Sequence, residues 1–159
     1  MASPSRPFGD EERHHPMTRN RFVLIVPLLV WNAVMWPRLP AGAGGGQAVP
    51  LPLEVAEQGL RLVVLVMPLW LRLEYRGRCG VVGLLLYGIG LVVYALTWVP
   101  WFLDPGQVSR LLLLGPAVTP LMVFAGIAVL ARSTAYGIVA AAFKLIHAVH
   151  AAVQLTGTS

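Results

Sequence analysis

One apolar segment near the carboxyl end constrains this chain more than any other feature. It runs from Ser133 to Leu155, a length that can cross a bilayer, yet it carries Lys144, His147 and His150 in its interior. Lys144 is the only lysine in the sequence. A charge near the middle of a membrane is costly unless it is paired or hydrated. We therefore expect another segment of the chain to supply a partner for Lys144.

The composition indicates a membrane protein. Of the 159 residues, 57% are hydrophobic and 12% are charged, and the mean hydropathy is +0.70. A soluble domain has about a quarter of its residues charged. The formal net charge of +5 does not indicate nucleic acid binding, because the arginines stand at the ends of apolar segments rather than in one basic run. Cys79 is the only cysteine, which excludes an intrachain disulfide.

Hydropathy divides the chain into a polar tail and five apolar segments. The tail, residues 1–20, is predicted to be a disordered cytoplasmic segment, because it has too little apolar surface to fold alone. The rest, residues 21–159, is predicted to be one all-α integral membrane domain, a bundle of five transmembrane helices with short loops. The predicted spans are residues 22–36, 53–71, 80–101, 111–131 and 135–155.

The first apolar segment has an alternative interpretation as a cleaved signal peptide. The sequence AGAGGG follows it and could hold a cleavage site of the Ala-x-Ala type. A long leading tail that contains Asp10, Glu11 and Glu12 favours a retained span instead, since signal peptides have short, positively charged leaders.

Arginines in the predicted loops set the orientation of the five spans. One side would carry eight arginines and the other only Arg38 and Arg110. Because positive loop charge marks the cytoplasmic side, we expect the amino terminus inside and the carboxyl terminus outside. The arginine, alanine, glycine and proline content is typical of a GC-rich bacterial genome, so we expect a bacterial inner membrane. The arginines of the first side are Arg6, Arg13, Arg19, Arg21, Arg72, Arg76, Arg78 and Arg132.

The second predicted span carries a polar stripe. On a helix, Glu54, Glu57 and Arg61 fall within about 60° of one another. Arg61 must lie at membrane depth if the segment crosses, because too few residues separate it from Arg72 to span alone. Glu57 and Arg61 also have the i,i+4 spacing of a helical ion pair. The stripe is therefore expected to face protein or water rather than lipid.

Polar residues of four spans are expected to meet in the outer half of the bundle. At about 1.5 Å of rise per residue, the depths of these residues overlap. A structural interpretation has Glu57 neutralising Lys144 or Arg61, with the histidines donating hydrogen bonds to carbonyls freed by kinks at Pro116 and Pro120. A functional interpretation has a pocket open to the outer face. The predicted group is Lys144, His147, His150, Glu54, Glu57, Arg61, Asn32 and Thr119.

The surplus of cations in this group favours an anionic ligand. We expect the pocket to bind a lipid head group or another small anionic or amphipathic ligand. The alternative is a structural or accessory subunit of a membrane complex with no ligand of its own. A divalent metal bound by the histidines and glutamates is disfavoured, because Lys144 and Arg61 would repel it. The predicted partners are membrane lipids, and another membrane protein or a second copy of the chain.

Catalytic motifs are missing from the sequence. It has no Gly-x-Ser-x-Gly elbow, no His-Glu-x-x-His helix and no Cys-x-x-Cys pair. The sequence therefore assigns no catalytic residue and no cofactor, and it favours a binding protein over an enzyme.

Overall fold

The computed structural model describes residues 21–35, 37, 49–103 and 114–156. Within these ranges every regular element is a helix, so the all-α prediction is confirmed for this part of the chain. The predicted disordered tail over 1–20, the Gly-rich run after Pro40, and Arg38 and Arg110 lie outside the described residues.

Seven α-helices follow one another within the described ranges. Two short 3-10 turns, Arg21–Leu24 and Met67–Leu69, precede α1 and follow α2. The helices are α1 (Val26–Met35), α2 (Leu51–Val66), α3 (Gly77–Leu96), α4 (Val99–Leu103), α5 (Leu114–Val118), α6 (Pro120–Leu130) and α7 (Thr134–Thr156).

Prolines explain where the helices depart from the predicted spans. The second predicted span reached Leu71, but α2 ends at Val66 and continues as a 3-10 turn that contains Pro68. Proline has no N–H to donate, and its ring clashes with the carbonyl one turn earlier, which breaks the regular helix. The fourth predicted segment is interrupted at Thr119, between α5 and α6, where Pro116 and Pro120 predict a kink.

Tyrosine hydroxyls fix the direction of two helix pairs. The Tyr87 hydroxyl donates to the carbonyl of Leu24, at 2.8 Å, and the Tyr94 hydroxyl donates to the Asn32 side chain. Residue numbers therefore rise together along α1 and α3, which run parallel. By contrast, the start of α7 lies beside the end of α2, because the Tyr136 hydroxyl is 3.4 Å from the carbonyl of Val64.

Glycines bring α3 and α6 into direct contact. Gly83 and Gly90 of α3 and Gly126 of α6 are all buried. A Cβ added at Gly126 would lie 2.8 Å from the carbonyl oxygen of Gly83 and 2.8 Å from the Cα of Tyr87. The two backbones touch at this point, as they do in membrane helix pairs with small residues at the interface. Gly90 lies beside Val123, so α3 and α6 run antiparallel.

The opposite face of α3 carries large aliphatic side chains, and these are exposed. Burial in this helix is therefore the reverse of that in a soluble core, because the glycines lie inside and the branched residues outside. Two helical segments, Gly77–Leu96 and Thr134–Val153, are long and apolar enough to cross a membrane. The exposed side chains of α3 include Val82, Leu85, Ile89, Val92 and Leu96.

A turn between α6 and α7 is tied to the segment before α3. Arg132 has a φ of 47°, and the next N–H, that of Ser133, donates to the carbonyl of Ala128 at 2.9 Å, which closes the end of α6. The backbone N–H of Glu74 donates to the carbonyl of Leu130 at 2.8 Å. The Glu74 carboxylate also forms an ion pair with Arg132, at 3.0 Å, so two contacts hold these segments together.

Candidate functional site

The Glu57 carboxylate is the centre of a polar cluster between α2 and α7. The residue is buried, with 2% of its surface exposed. Its oxygen Oε1 forms an ion pair with Arg61 and lies 2.9 Å from Nδ1 of His147. The other oxygen, Oε2, contacts Nδ1 of His150. One buried carboxylate thus contacts three nitrogen groups, but its Oε2 accepts no hydrogen bond from the described residues.

The helices explain why these four side chains converge. Glu57 and Arg61 are one turn apart on α2, and His147 and His150 are three residues apart on α7, so each pair shares a helix face. The antiparallel pairing of α2 and α7 brings the two faces together. Phe143 stacks on the His147 ring, with centroids 5.7 Å apart and planes at 20°, which orients that imidazole toward Glu57.

One side of the cluster is open. The side chain of Arg61 is 41% exposed, whereas His147 and His150 are partly buried and Glu57 is enclosed. A molecule that approached the cluster would therefore meet the guanidinium group first. Arginine presents several N–H donors in a planar fork that suits a carboxylate or a phosphate.

Lys144 lies beside the cluster without joining it. It is 6% exposed, and its Nζ lies 5.3 Å from the ring centroid of Phe143 and 5.9 Å from that of Phe124. Within the part of the chain that the structure describes, the ammonium group forms no ion pair and no hydrogen bond. Aromatic rings attract a cation, but they do not neutralise its charge.

The sequence predicts either Arg61 or Lys144 as the partner of Glu57, and in the structure only one of them forms the ion pair. Arg61 forms the ion pair, and Lys144 does not. The Nδ1 atoms of both histidines contact Glu57. Two basic side chains, Arg61 and Lys144, therefore accompany one carboxylate at this site.

The three remaining predicted residues lie apart from this cluster. Asn32 accepts a hydrogen bond from the Tyr94 hydroxyl on α3. Thr119 donates to the carbonyl of Gly115, at 2.9 Å, within its own helical segment. Glu54 is exposed on the first turns of α2 and forms no ion pair with any described residue. The single group of eight predicted residues thus becomes one cluster of four, with Lys144 beside it, and three separate positions.

Two aromatic residues complete the site and are not predicted from the sequence. Phe143 and Phe124 pack edge to face, with ring centroids 6.3 Å apart, and both lie near the Lys144 ammonium. Phe143 directly precedes Lys144, which is a signal that the sequence does contain. Phe124 has no such signal, because its position depends on how α6 packs against α7.

A separate groove lies between α1 and α3. It has a volume of about 240 Å³ and is lined mainly by apolar side chains. The polar pair of Tyr94 and Asn32 lies at this same helix contact. The lining residues are Pro27, Trp31, Leu91, Val92, Tyr94 and Ala95.

Metal ligation is not a feature of the described part of the chain. No group of three or more histidine, cysteine, aspartate or glutamate side chains there is arranged to hold a metal ion.

The chain matches no protein-family model, no curated protein and no solved structure. Its function is therefore argued from the geometry and charge of its own residues.

Proposed function

We propose that this chain is a five-span membrane protein that binds an anionic amphiphile, such as a lipid with a phosphate or carboxylate head group, at the Glu57 cluster. The observation that carries the proposal is Lys144, a buried cation that forms no ion pair in the described part of the chain. A buried charge without a counterion is costly, so an anion that reached it would stabilise the protein.

Membrane insertion is supported by the surface of the helices. In each of the two segments that are long enough to cross, 22% of the apolar window is buried, whereas the core helix of a soluble protein is mostly buried. Both segments are also far from the amino terminus, unlike a signal sequence. A large exposed apolar surface of this kind needs lipid or protein to cover it.

Five crossings are supported by the directions of the helices. α1 and α3 run parallel, and α6 runs antiparallel to α3. α7 runs antiparallel to α2. This alternation suits a chain that crosses a membrane five times, with α5 and α6 together forming one interrupted crossing. The predicted loop arginines then favour an inside amino terminus, and the Glu57 cluster lies in the outer half.

The ligand class follows from charge and access. Arg61 forms the exposed edge of the site, and Lys144 lies deeper, next to two phenylalanine rings. An amphiphile could place its anionic group between these cations and its apolar part against the aromatic rings. A small inorganic anion would contact only the basic groups of Arg61 and Lys144. Binding that depends on the apolar part of the ligand would therefore distinguish an amphiphile from a small anion.

Ligand binding can be tested with Lys144→Met. Purified protein in a neutral detergent is titrated with lysophosphatidylglycerol or, as a neutral comparison, lysophosphatidylcholine, and thermal unfolding is followed. We expect the anionic lipid to raise the midpoint for the wild type, and to raise it clearly less in Lys144→Met. The matched control is Arg132→Gln, which removes one exposed positive charge on the predicted inner side that is already paired with Glu74. An equal rise in Lys144→Met and wild type would contradict the proposal.

The topology has its own test. Reporter fusions at Thr18 and Thr158 should report opposite compartments, with the amino-terminal reporter in the cytoplasm. The same compartment for both fusions would contradict five crossings, whatever the result of the ligand titration.

A structural role is the second candidate, and one observation favours it. Glu57 of α2 already contacts two histidines of α7, so the cluster could simply fix the pairing of α2 and α7. A cysteine at Ala148, in a Cys79→Ser background, separates the two functions. Reaction with an impermeant thiol reagent added outside would support an open site. Full protection in the folded protein would support a closed structural network.

A further inference from the structure

We propose a second lipid site, at the opposite end of the molecule, in which an anionic phospholipid lies along α3 with its phosphate at Arg76 and Arg78 and one acyl chain in the groove between α1 and α3. This site depends on membrane insertion, but not on the ligand proposed for the Glu57 cluster.

The head-group end carries uncompensated positive charge. Arg72, Arg76 and Arg78 are exposed, and none of them forms an ion pair with a carboxylate of the described residues. Arg132, in the same region, is neutralised by Glu74 at 3.0 Å. Anionic phospholipids are concentrated near basic residues at the cytoplasmic surface of a membrane, so the charges are complementary.

A continuous apolar stripe leads away from these arginines. Its residues are spaced alternately by four and three positions, which places them within about 80° of one another on the helix. The glycines that contact α6 lie on the other side of α3. A hydrocarbon chain that starts beside Arg78 can therefore follow α3 without crossing another helix. The stripe consists of Val82, Leu85, Ile89, Val92 and Leu96, all exposed.

The groove lies at a distance from Arg78 that suits the length of an acyl chain. Val92 belongs to the stripe and also lines the groove, together with Ala95 and, from α1, Pro27 and Trp31. The rise from Arg78 to Val92 is about 21 Å at 1.5 Å per residue. One leaflet including its head groups is about 20 to 22 Å thick, half of the full bilayer. A phospholipid with its phosphate at Arg78 would thus place the end of a chain in the groove.

The head-group part is tested by lipid retention. The full chain in nanodiscs of phosphatidylcholine with a minor fraction of phosphatidylglycerol is released for native mass spectrometry, and bound phosphatidylglycerol is counted. We expect Arg78→Gln to lower retention about fivefold, the effect of one basic residue near a charged surface. Arg132→Gln removes the same charge from an ion pair and should lower retention much less. Equal losses in the two variants would show a general field effect and overturn the site.

The groove is tested by chain length. The wild type should retain dioleoyl phosphatidylglycerol in preference to the dilauroyl form, because only the longer chain fills the groove. Ala95→Phe should remove this preference and keep the preference for phosphatidylglycerol over phosphatidylcholine. Val92→Trp serves the same purpose if the first variant does not fold. An unchanged chain preference, or competition by soluble glycerol phosphate as strong as by whole lipid, would overturn the groove. In a Lys144→Met background the loss caused by Arg78→Gln and the chain preference should both persist, which separates this site from the Glu57 cluster.

Discussion

Two antiparallel helix pairs in this protein are held together in different ways. α3 and α6 meet through glycines, with backbone atoms close enough that a single methyl group at Gly126 would collide with the partner helix. α2 and α7 meet through Glu57, its three nitrogen partners and the hydroxyl of Tyr136. The first contact is determined by shape and the second by charge.

This difference between the two interfaces determines where a ligand can bind. Close backbone packing leaves no volume and no unsatisfied charge, so the α3–α6 contact can only be structural. The α2–α7 contact leaves Lys144 without a counterion among the described residues and Arg61 partly exposed. Charge at a helix interface thus keeps some affinity for a further anion, whereas glycine packing does not.

Breaking the charged interface should have the largest effect on folding. Glu57→Gln would leave the Arg61 guanidinium without its carboxylate partner and remove the negative charge near Lys144. Loss of one partner of a buried ion pair costs about 3 to 5 kcal/mol. Chemical unfolding in detergent micelles would measure the loss. Adding Lys144→Met should recover part of it, since neighbouring charges are coupled. A Glu57→Gln protein as stable as the wild type would mean that charge does not hold α2 against α7.

The glycine interface should tolerate an added methyl group poorly. Gly126→Ala places a Cβ 2.8 Å from two backbone positions of α3, which cannot rotate away. Overpacking of this kind costs about 1 to 3 kcal/mol. The matched control is Gly88→Ala on α3, where an added Cβ has no neighbour within 4 Å and the higher helix propensity of alanine should be neutral or stabilising. Equal unfolding midpoints for the two variants would refute close packing at Gly126.

The tyrosine that joins α1 to α3 should contribute less. Tyr94→Phe removes one hydrogen bond to Asn32 and keeps the aromatic packing against Trp98, whose ring centroid is 6.3 Å away. The expected loss is about 1 kcal/mol, the usual net value of one hydrogen bond. Heat denaturation of the variant beside the wild type would measure it. A loss of stability as large as that of Glu57→Gln would show that the α1–α3 contact depends on its hydrogen bond as strongly as the α2–α7 contact depends on charge.

Removing the Lys144 side-chain amine should have the smallest effect on the stability of the protein without bound lipid. Lys144→Met deletes a buried charge that has no carboxylate partner in the described residues, and methionine can occupy the same space between the rings. We expect an unfolding midpoint equal to or above that of the wild type, together with a smaller stabilisation by anionic lipid. A clear drop in stability without lipid would mean that Lys144 pairs with Glu57 in solution.

Helix content and helix ends were predictable to different degrees. The long apolar segment of α7 was predicted as residues 135–155 and is observed as Thr134–Thr156, because nothing within it interrupts the helix. α2 was predicted too long, since hydropathy continues past Pro68 and the helix does not. The break at Thr97–Trp98 before α4 was not predicted at all. The five crossings and the orientation stay predictions.

The site was predictable by residue type more than by pairing. Glu57 and Arg61 lie one turn apart on a single helix, so spacing alone suggests their ion pair. The contacts of Glu57 with His147 and His150 depend on the rotation of α7 against α2, which a helical pattern does not determine. The same limit explains why Asn32 and Thr119 were grouped with the cluster. They lie at a similar predicted depth, but their helices direct them to other neighbours.

The separation of Glu57 from its histidines along the chain has a consequence for biosynthesis. Glu57 and His147 are 90 positions apart in the sequence. At a synthesis rate of about 5 to 20 residues per second, α2 would exist for about 5 to 18 seconds before α7 is made. During that interval Arg61, on the same helix, is the only partner that the nascent carboxylate has from this cluster. A ribosome that stopped before Thr134 would leave α2 in this state, and the unfinished chain would be expected to be a preferred substrate for membrane proteases.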